Sequence, residues 1–206
     1  MSEEIDDDVI FTGPDVKDVR TLKALAHPLR MQILEFLADH EQATSTTLAE
    51  HLSESTGQTS YHLRQLAKYG FVTEAEGRGN ARERWWQSSG YSVRPEDVQT
   101  LARQSPLLGT IAQRQLKDRY EKLAEFQHGL PKEDPAWVEA TSISLSSSTL
   151  SPEELKSLRN EVWRITQRHL EAAEERRKNG DGKQRRRVRI HFDAFPLPAN
   201  DSADDR

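Results

Sequence analysis

Apolar residues recur at helical spacing through the first third of the chain. From Val16 to Leu25 every third residue is apolar, which predicts a helix that begins near Asp15. A second helix begins at Pro28, because proline is tolerated in a first helical turn. A short helix with Leu48 on its inner side and a longer helix over about 56–69 follow. The pattern predicts four helices in quick succession.

A strand pattern follows the longest of these helices. Gly70 is placed to end that helix, Phe71 and Val72 begin a strand, and residues 82–87 return as a second strand after a glycine-rich turn. The predicted order of elements is helix, short helix, turn, helix and charged hairpin. A winged helix-turn-helix needs this order to place one helix in the DNA major groove beside a basic wing. Residues 22–86 therefore predict a DNA-binding domain.

The second half has a different pattern. A long amphipathic helix is predicted to end near Gly129. Apolar residues alternate with polar ones near Ile143 and near Ile190, which predicts two strands. Between them a capping-box sequence at Ser151 predicts a helix that extends to about Arg177. The predicted fold class is α+β: an N-terminal winged helix-turn-helix, then a long helix and a small strand-helix-strand C-terminal region.

Composition and charge divide the chain into four predicted regions. Residues 1–18 contain seven acids and one lysine, and mutual repulsion of the acids opposes a compact state there. We predict a disordered acidic tail over 1–14, a winged helix-turn-helix domain over 15–90, a helical and α/β dimerisation or sensing region over 91–195, and a second disordered tail over 196–206.

Charge also bears on the partner and the compartment. The net charge of -5 is unusual for a DNA-binding protein, but residues 57–88 contain five basic and three acidic residues, so positive charge is concentrated in the predicted interface. No apolar run is long enough to span a bilayer, and acids follow Met1 where a secretory signal would be basic. The expectation is a cytoplasmic, nucleoid-associated protein with no membrane partner.

The polar face of the 56–69 helix carries the predicted DNA contacts. If Thr59, Leu63 and Leu66 face the core, a rotation of about 100° per residue puts groove-type side chains on the opposite face. There Gln58 can hydrogen-bond an adenine edge and Arg64 can bind guanine or a phosphate. The alternative is the solvated face of an ordinary helix. The predicted DNA-binding residues are Gln58, Ser60, Tyr61, Arg64 and Lys68 in the helix and Arg78, Arg82 and Arg84 in the wing.

Several segments resemble a known family. Residues within about 16–88 resemble bacterial winged-helix regulators of the ArsR (arsenic-repressor) type that have a longer C-terminal half. The segments that carry the resemblance are ALAHPLRMQILEFL, LAEHL, SYHLRQLAKYGFV and ERWW. The resemblance implies a homodimeric transcription factor, usually a repressor, with its recognition helix at 57–69. Metal-sensing members often carry cysteines in and around the preceding helix. The matching positions are Thr44, Thr46 and Ala49, so thiolate metal sensing does not carry over.

Other chemistry is not indicated by the sequence. The chain has no cysteine, which excludes disulfides and thiolate sites, and its seven histidines show no pair at metal-ligand spacing. No known catalytic motif is present. We therefore predict no catalytic residues, no metal, no cofactor and no enzyme activity. The basic run 176–189 is either a second DNA contact or a solvated loop beside a helix end, and we favour the loop.

These patterns together predict a sequence-specific DNA-binding transcriptional regulator. The expected form is a homodimeric repressor on an inverted repeat in double-stranded DNA, with the recognition helix in the major groove and the basic wing beside it. Two alternatives remain open. One is a winged-helix protein-interaction module without sequence-specific DNA binding. The other is a regulator controlled by a small-molecule effector in the C-terminal half.

Overall fold

The computed structural model of the chain describes residues 13–80, 83–180 and 182–198, and the side chains of 76–83 are not part of that description. Two compact units are present, one ending at Ile143 and the other including the residues from Ser144 onward. Among the helices in these ranges, none combines the length and the apolarity needed to cross a bilayer.

The first unit contains the predicted winged helix-turn-helix and continues beyond it. The predicted order of helices and hairpin is confirmed, within an α+β fold. Its elements are α1 (Val19–Leu25), α2 (Pro28–His40), β1 (Gln42–Thr44), α3 (Ser45–Leu52), α4 (Thr56–Lys68), β2 (Val72–Asn80), β3 (Glu83–Ser88), α5 (Pro95–Gln104), α6 (Leu107–Gly129), a 3-10 turn (Leu130–Lys132) and α7 (Pro135–Glu139).

The first helix begins later than its apolar pattern suggests. Asp18 is the N-cap, and its carboxylate accepts a hydrogen bond from the Thr21 amide at 2.7 Å. The predicted start near Asp15 is wrong, because Val16 lies in the chain before the helix. There the Val16 amide donates to the carbonyl of Ser92 at 2.8 Å, and its side chain is fully buried.

The sheet has three antiparallel strands in the order β1-β3-β2. Ala43 pairs with Trp86 between β1 and β3, and β1 is a strand that the sequence analysis did not predict. Three residues are too few for alternation to reveal a strand, and only the pairing with β3 defines it. Trp86 is buried and Trp85 half-buried, as expected for neighbours on opposite faces of a strand.

One hydrophobic core joins the winged helix to the helices that follow. Leu101 of α5 is fully buried, and Ile111 of α6 is almost so. The Arg114 guanidinium on α6 binds Glu35 of α2 with two hydrogen bonds of 2.6 and 2.7 Å. The compact unit therefore extends past position 90. The fully buried aromatic and leucine or isoleucine side chains are Phe71, Leu22, Leu25, Ile33, Leu37, Leu48, Leu63, Leu66 and Leu101.

Only the first part of the apolar face of α6 lies in this core. Ile111 is buried, whereas Leu116 is 60% exposed and Tyr120 is 72% exposed. Leu123, one turn further on, is exposed as well. The long helix predicted to end near Gly129 is confirmed, and its C-terminal half presents an apolar stripe to solvent.

The second unit is organised around α8 (Pro152–Asn179). Ser151 Oγ accepts a hydrogen bond from the Glu154 amide at 3.2 Å, and Glu154 Oε2 accepts one from the Ser151 amide at 2.7 Å. The predicted capping box is confirmed. The helix ends at Asn179, and its C-cap Gly180 has a φ of 69°, the left-handed conformation that glycine adopts without strain.

The two strands predicted around α8 are not formed. Residues 141–151 and 182–198 adopt neither helix nor strand, so the predictions near Ile143 and Ile190 are wrong. Alternation makes a segment able to bury one face of a sheet, but a strand also needs a neighbour that satisfies its backbone hydrogen bonds. Within the described ranges no other segment pairs with either one.

The predicted tails are described only at their inner ends. The Pro14 carbonyl accepts a hydrogen bond from the Ser92 amide at 3.2 Å, so the end of the predicted 1–14 tail belongs to the fold. Residues 1–12 and 199–206 lie outside the described residues.

Candidate nucleic-acid interface

The N-terminus of α4 is held by a capping box that was not predicted. Ser55 Oγ accepts a hydrogen bond from the Gln58 amide at 3.2 Å, and Gln58 Oε1 accepts one from the Ser55 amide at 3.4 Å. The signal was present in the sequence as a serine followed three residues later by glutamine. The cap fixes the residue at which this helix begins.

The inner face of α4 is anchored to α3. Thr59 is fully buried, and its hydroxyl donates a 2.8 Å hydrogen bond to the carbonyl of Ser45 at the start of α3. Leu63 and Leu66 are fully buried on the same face. Between the helices Ser53 has a φ of 54°, the left-handed conformation that reverses the chain direction. The inward set predicted from the sequence is confirmed.

The outer face of α4 carries the predicted polar side chains. Tyr61 is 55% exposed, Gln58, Arg64 and Lys68 are exposed, and Ser60 is half-buried. Their exposed positions follow from the burial of the opposite face, whereas their contact with DNA stays a prediction. Arg64 Nε donates to the Ser60 carbonyl at 3.1 Å, which holds the base of the guanidinium against its own helix.

Gln58 forms hydrogen bonds within the cap of α4, and these compete with base recognition. Its amide oxygen belongs to the capping box at Ser55, and it also accepts from the Ser55 hydroxyl at 3.3 Å. Bidentate recognition of adenine uses both the oxygen and the nitrogen of the amide. Gln58 must therefore leave the cap to read an adenine in that way.

A buried histidine of α4 packs against an exposed histidine at the start of α2. The ring of His62 is 4.3 Å from that of His27, which caps α2 by accepting from the Leu29 amide. His62 is buried, and its Nδ1 atom has no hydrogen-bond partner among the described residues. Desolvation by burial lowers the pKa of His62, and the nearby His27 and Arg30 lower it further. His62 is thus a packed side chain of the helix-turn-helix.

The described part of the wing is electrostatically paired. Arg84 Nη1 on β3 lies 2.8 Å from Glu74 Oε1 on β2, and both side chains are more than half exposed. The register of the two strands shifts between Glu74 and Gly79. The side chain of Arg78 and the whole of Arg82 lie outside the described residues. Arg84 must exchange its carboxylate partner for a phosphate to bind DNA.

The basic run begins in the last turn of α8. Residues 176–178 form the last turn of α8, where cations interact favourably with the helix dipole, and residues 182–189 adopt neither helix nor strand. In the described part of the chain, no group of three or more histidine, aspartate or glutamate side chains is arranged to hold a metal ion.

Comparisons with known proteins concern the same part of the chain. A family model described as a helix-turn-helix domain matches residues 25–75, and no curated protein matches the chain. The family model confirms the helix-turn-helix part of the predicted resemblance.

Solved structures with some likeness include reduced HlyU from Vibrio cholerae N16961, at 28% identity, with 42% of this chain and 82% of that chain covered and a TM-score of 0.31. NolR from Sinorhizobium fredii is 27% identical, with coverages of 43% and 80% and a TM-score of 0.29. The homodimeric winged helix-turn-helix domain of Mb0332 from Mycobacterium bovis, described as a possible ArsR-family regulator, is 24% identical, with coverages of 46% and 76% and a TM-score of 0.32. At such TM-scores these likenesses carry no further argument.

Proposed function

We propose that this chain is a homodimeric transcriptional repressor that binds double-stranded DNA sequence-specifically. Helix α4 enters the major groove and the β2–β3 hairpin lies beside it as a wing. The observation that carries the proposal is the two-sided character of α4. Its inner face is fixed by the Thr59 hydrogen bond and two buried leucines, while its outer face presents Tyr61, Arg64 and Lys68 to solvent.

The side chains divide by the kind of contact that their chemistry allows. Arg64 can bind the O6 and N7 atoms of guanine, and Tyr61 can reach a phosphate or a thymine methyl group. Gln58 reads adenine if its amide leaves the cap. The remaining predicted contacts are to phosphates and come from Ser60, Lys68, Arg78, Arg82 and Arg84.

A second copy gives the exposed stripe of α6 a role. Leu116, Tyr120 and Leu123 follow the i, i+4, i+7 spacing of one helix face, and all three are exposed. Pairing of two copies about a two-fold axis covers both stripes at once. The same axis sets two α4 helices about 34 Å apart, which requires an inverted repeat with half-sites about one helical turn apart.

Loss of the Arg64 side chain tests DNA recognition. Binding of labelled DNA, first selected from fragments of the source genome, is followed by fluorescence anisotropy at several salt concentrations. We expect Arg64→Ala to weaken the preferred site by about 1–3 kcal/mol and to flatten the preference between sites. Arg168→Ala, which removes the same charge from an exposed position of α8, serves as the control and leaves binding unchanged.

Two results would contradict the proposal. If Arg64→Ala retains both affinity and preference, the face of α4 assigned to DNA is wrong. If the unmodified chain binds no genomic fragment above its non-specific level, a winged-helix protein-interaction module becomes the better explanation.

Dimerisation is tested on the α6 stripe. Leu116→Glu places a charge in the centre of the proposed interface and should convert the dimer to a monomer in sedimentation. Leu158→Glu, at an exposed position of α8, is the matched control. A Leu116→Glu chain that remains dimeric would move the interface away from α6.

A further inference from the structure

The start of α2 meets the middle of α4 through two histidine rings. The ring centroids of His27 and His62 lie 4.3 Å apart. His27 Nδ1 accepts a hydrogen bond from the Leu29 amide at 3.2 Å, and this cap of α2 requires a lone pair on Nδ1. A histidine that carries protons on both ring nitrogens has no such lone pair. The cap and a positive charge on His27 therefore exclude each other.

The surroundings of His62 are equally unsuited to a cation. His62 is buried, and its Nδ1 atom has no hydrogen-bond partner among the described residues. The charged and titratable groups that act on its ring are His27 and Arg30 at the start of α2 and Glu54 in the turn before α4. Tyr61 of the same helix packs edge-on against the ring, with 5.2 Å between the centroids. Burial, together with the two basic groups, lowers the pKa of His62.

We propose that the contact between His27 and His62 is a pH-sensitive switch that moves α4 and, because α4 has the proposed function, releases DNA in acid. The rings pack closely while both are uncharged. A proton on His62 adds a buried charge beside Arg30, and protons on both rings add repulsion across 4.3 Å. The repulsion is relieved when the ring of His62 leaves its buried position. This movement shifts the helix that carries Tyr61 and Arg64.

The direction of the pH effect distinguishes this switch from general electrostatic attraction to DNA. Protonation of the seven histidines adds positive charge as the pH falls, and added positive charge strengthens binding to phosphates. The switch acts in the opposite direction, because the released form binds more protons than the DNA-bound form. Each proton taken up on release lowers the affinity by up to about tenfold per pH unit below the ordinary histidine value of about 6.5. A fall in affinity while the chain stays folded is therefore the signature of the switch.

Fluorescence anisotropy on the full-length chain tests the switch, with DNA selected from fragments of the source genome. The affinity is measured between about pH 8 and about pH 5.5, across the ordinary histidine range. We expect the affinity of the unmodified chain to fall by about tenfold or more, because release takes up at least one proton. Circular dichroism at each pH should show an unchanged helix content, which separates the switch from acid unfolding.

Two variants at the contact and one control away from it make the test specific. His27→Asn retains a side chain that can cap α2 but does not titrate. His62→Gln removes the buried ring. In either variant the affinity should stay level or rise as the pH falls, because only the effect of charge on phosphate binding remains. His169→Gln removes an exposed histidine of α8 and should follow the unmodified chain.

NMR of the chain without DNA separates the switch from the function of the DNA interface. The ring resonances of His27 and His62 and the amide resonances of residues 59–66 should shift with one common midpoint, because opening couples both rings to α4. If this common midpoint is present but no genomic fragment binds at about pH 8, the proposed function fails and the switch in α4 stands. Titration of the His62 ring without a shift of the α4 amides would overturn the proposal. An affinity that rises in acid for the unmodified chain would overturn it as well.

Discussion

The winged unit, which is the compact unit that ends at Ile143, and the helix α8 show two ways in which the sequence can define a helix. Helix α4 has a capping box and an inner face that is fully buried against the rest of its unit. Helix α8 has an equally complete capping box, yet Leu158, Ile165 and Leu170 on its surface remain exposed. Local hydrogen bonding defines where both helices begin. Among the described residues, the buried apolar side chains all belong to the unit that contains α4, where the hydrophobic free energy of burial also fixes the position of the helix.

The largest expected difference concerns buried and exposed leucines. Leu63→Ala should lower the free energy of unfolding by about 2–5 kcal/mol, because it leaves a cavity in the core. Leu158→Ala in α8 should change it by less than about 0.5 kcal/mol. Urea unfolding of both variants measures the contrast. An equal loss for Leu158→Ala would mean that α8 is buried in the assembled protein.

The two capping boxes allow a second comparison. Ser55→Ala should cost about 1 kcal/mol and lower the amide protection of the whole winged core, because α4 is part of that cooperative unit. Ser151→Ala should fray only the first turn of α8. Hydrogen exchange resolved along the chain distinguishes the two effects. Equal loss of core protection in both variants would show that α8 unfolds together with the winged unit.

The burial of His62 predicts that the stability of the winged unit depends on pH. Burial lowers the pKa of His62, so the unfolded chain binds a proton more readily than the folded one. The free energy of unfolding should therefore fall as the pH drops below the ordinary histidine value of about 6.5, and should be unaffected well above it. His62→Gln should reduce this dependence, whereas His169→Gln on the exposed face of α8 should preserve it. The measurement is the free energy of unfolding of the unmodified chain and both variants between about pH 8 and pH 5. An equal pH dependence in all three would contradict the role of His62.

The ion pair of the wing is expected to contribute little to stability. Glu74→Gln removes the partner of Arg84, an exposed pair whose loss should change stability by no more than about 1 kcal/mol. It should nevertheless strengthen binding to all DNA sequences and steepen the salt dependence, because one more cation is available to phosphates. Glu171→Gln on α8 provides the same charge change and should leave DNA binding unaltered. Indistinguishable DNA affinities of the two variants would remove Arg84 from the interface.

Part of the candidate interface could be predicted from the sequence. The spacing of Thr59, Leu63 and Leu66 identified the buried face of α4 and hence its exposed face. The partners of the exposed side chains could not be predicted in the same way. Gln58 accepts a hydrogen bond in the cap of α4, and Arg84 forms an ion pair with Glu74 on the neighbouring strand. Each side chain must break that interaction before it can bind DNA.

The sequence by itself determined the features that depend on neighbours three or four residues apart. Helix periodicity, the cap at Ser151 and the left-handed Gly70 that follows α4 are of this kind, because their hydrogen bonds close within one turn. Tertiary structure alone decided the pairing of β1 with β3, the burial of Leu101 and Ile111 beside the winged helix, and the absence of strands near Ile143 and Ile190. Each of these features depends on a partner that is distant in the chain. An apolar pattern indicates that a segment needs a partner, but it does not indicate which segment that partner is.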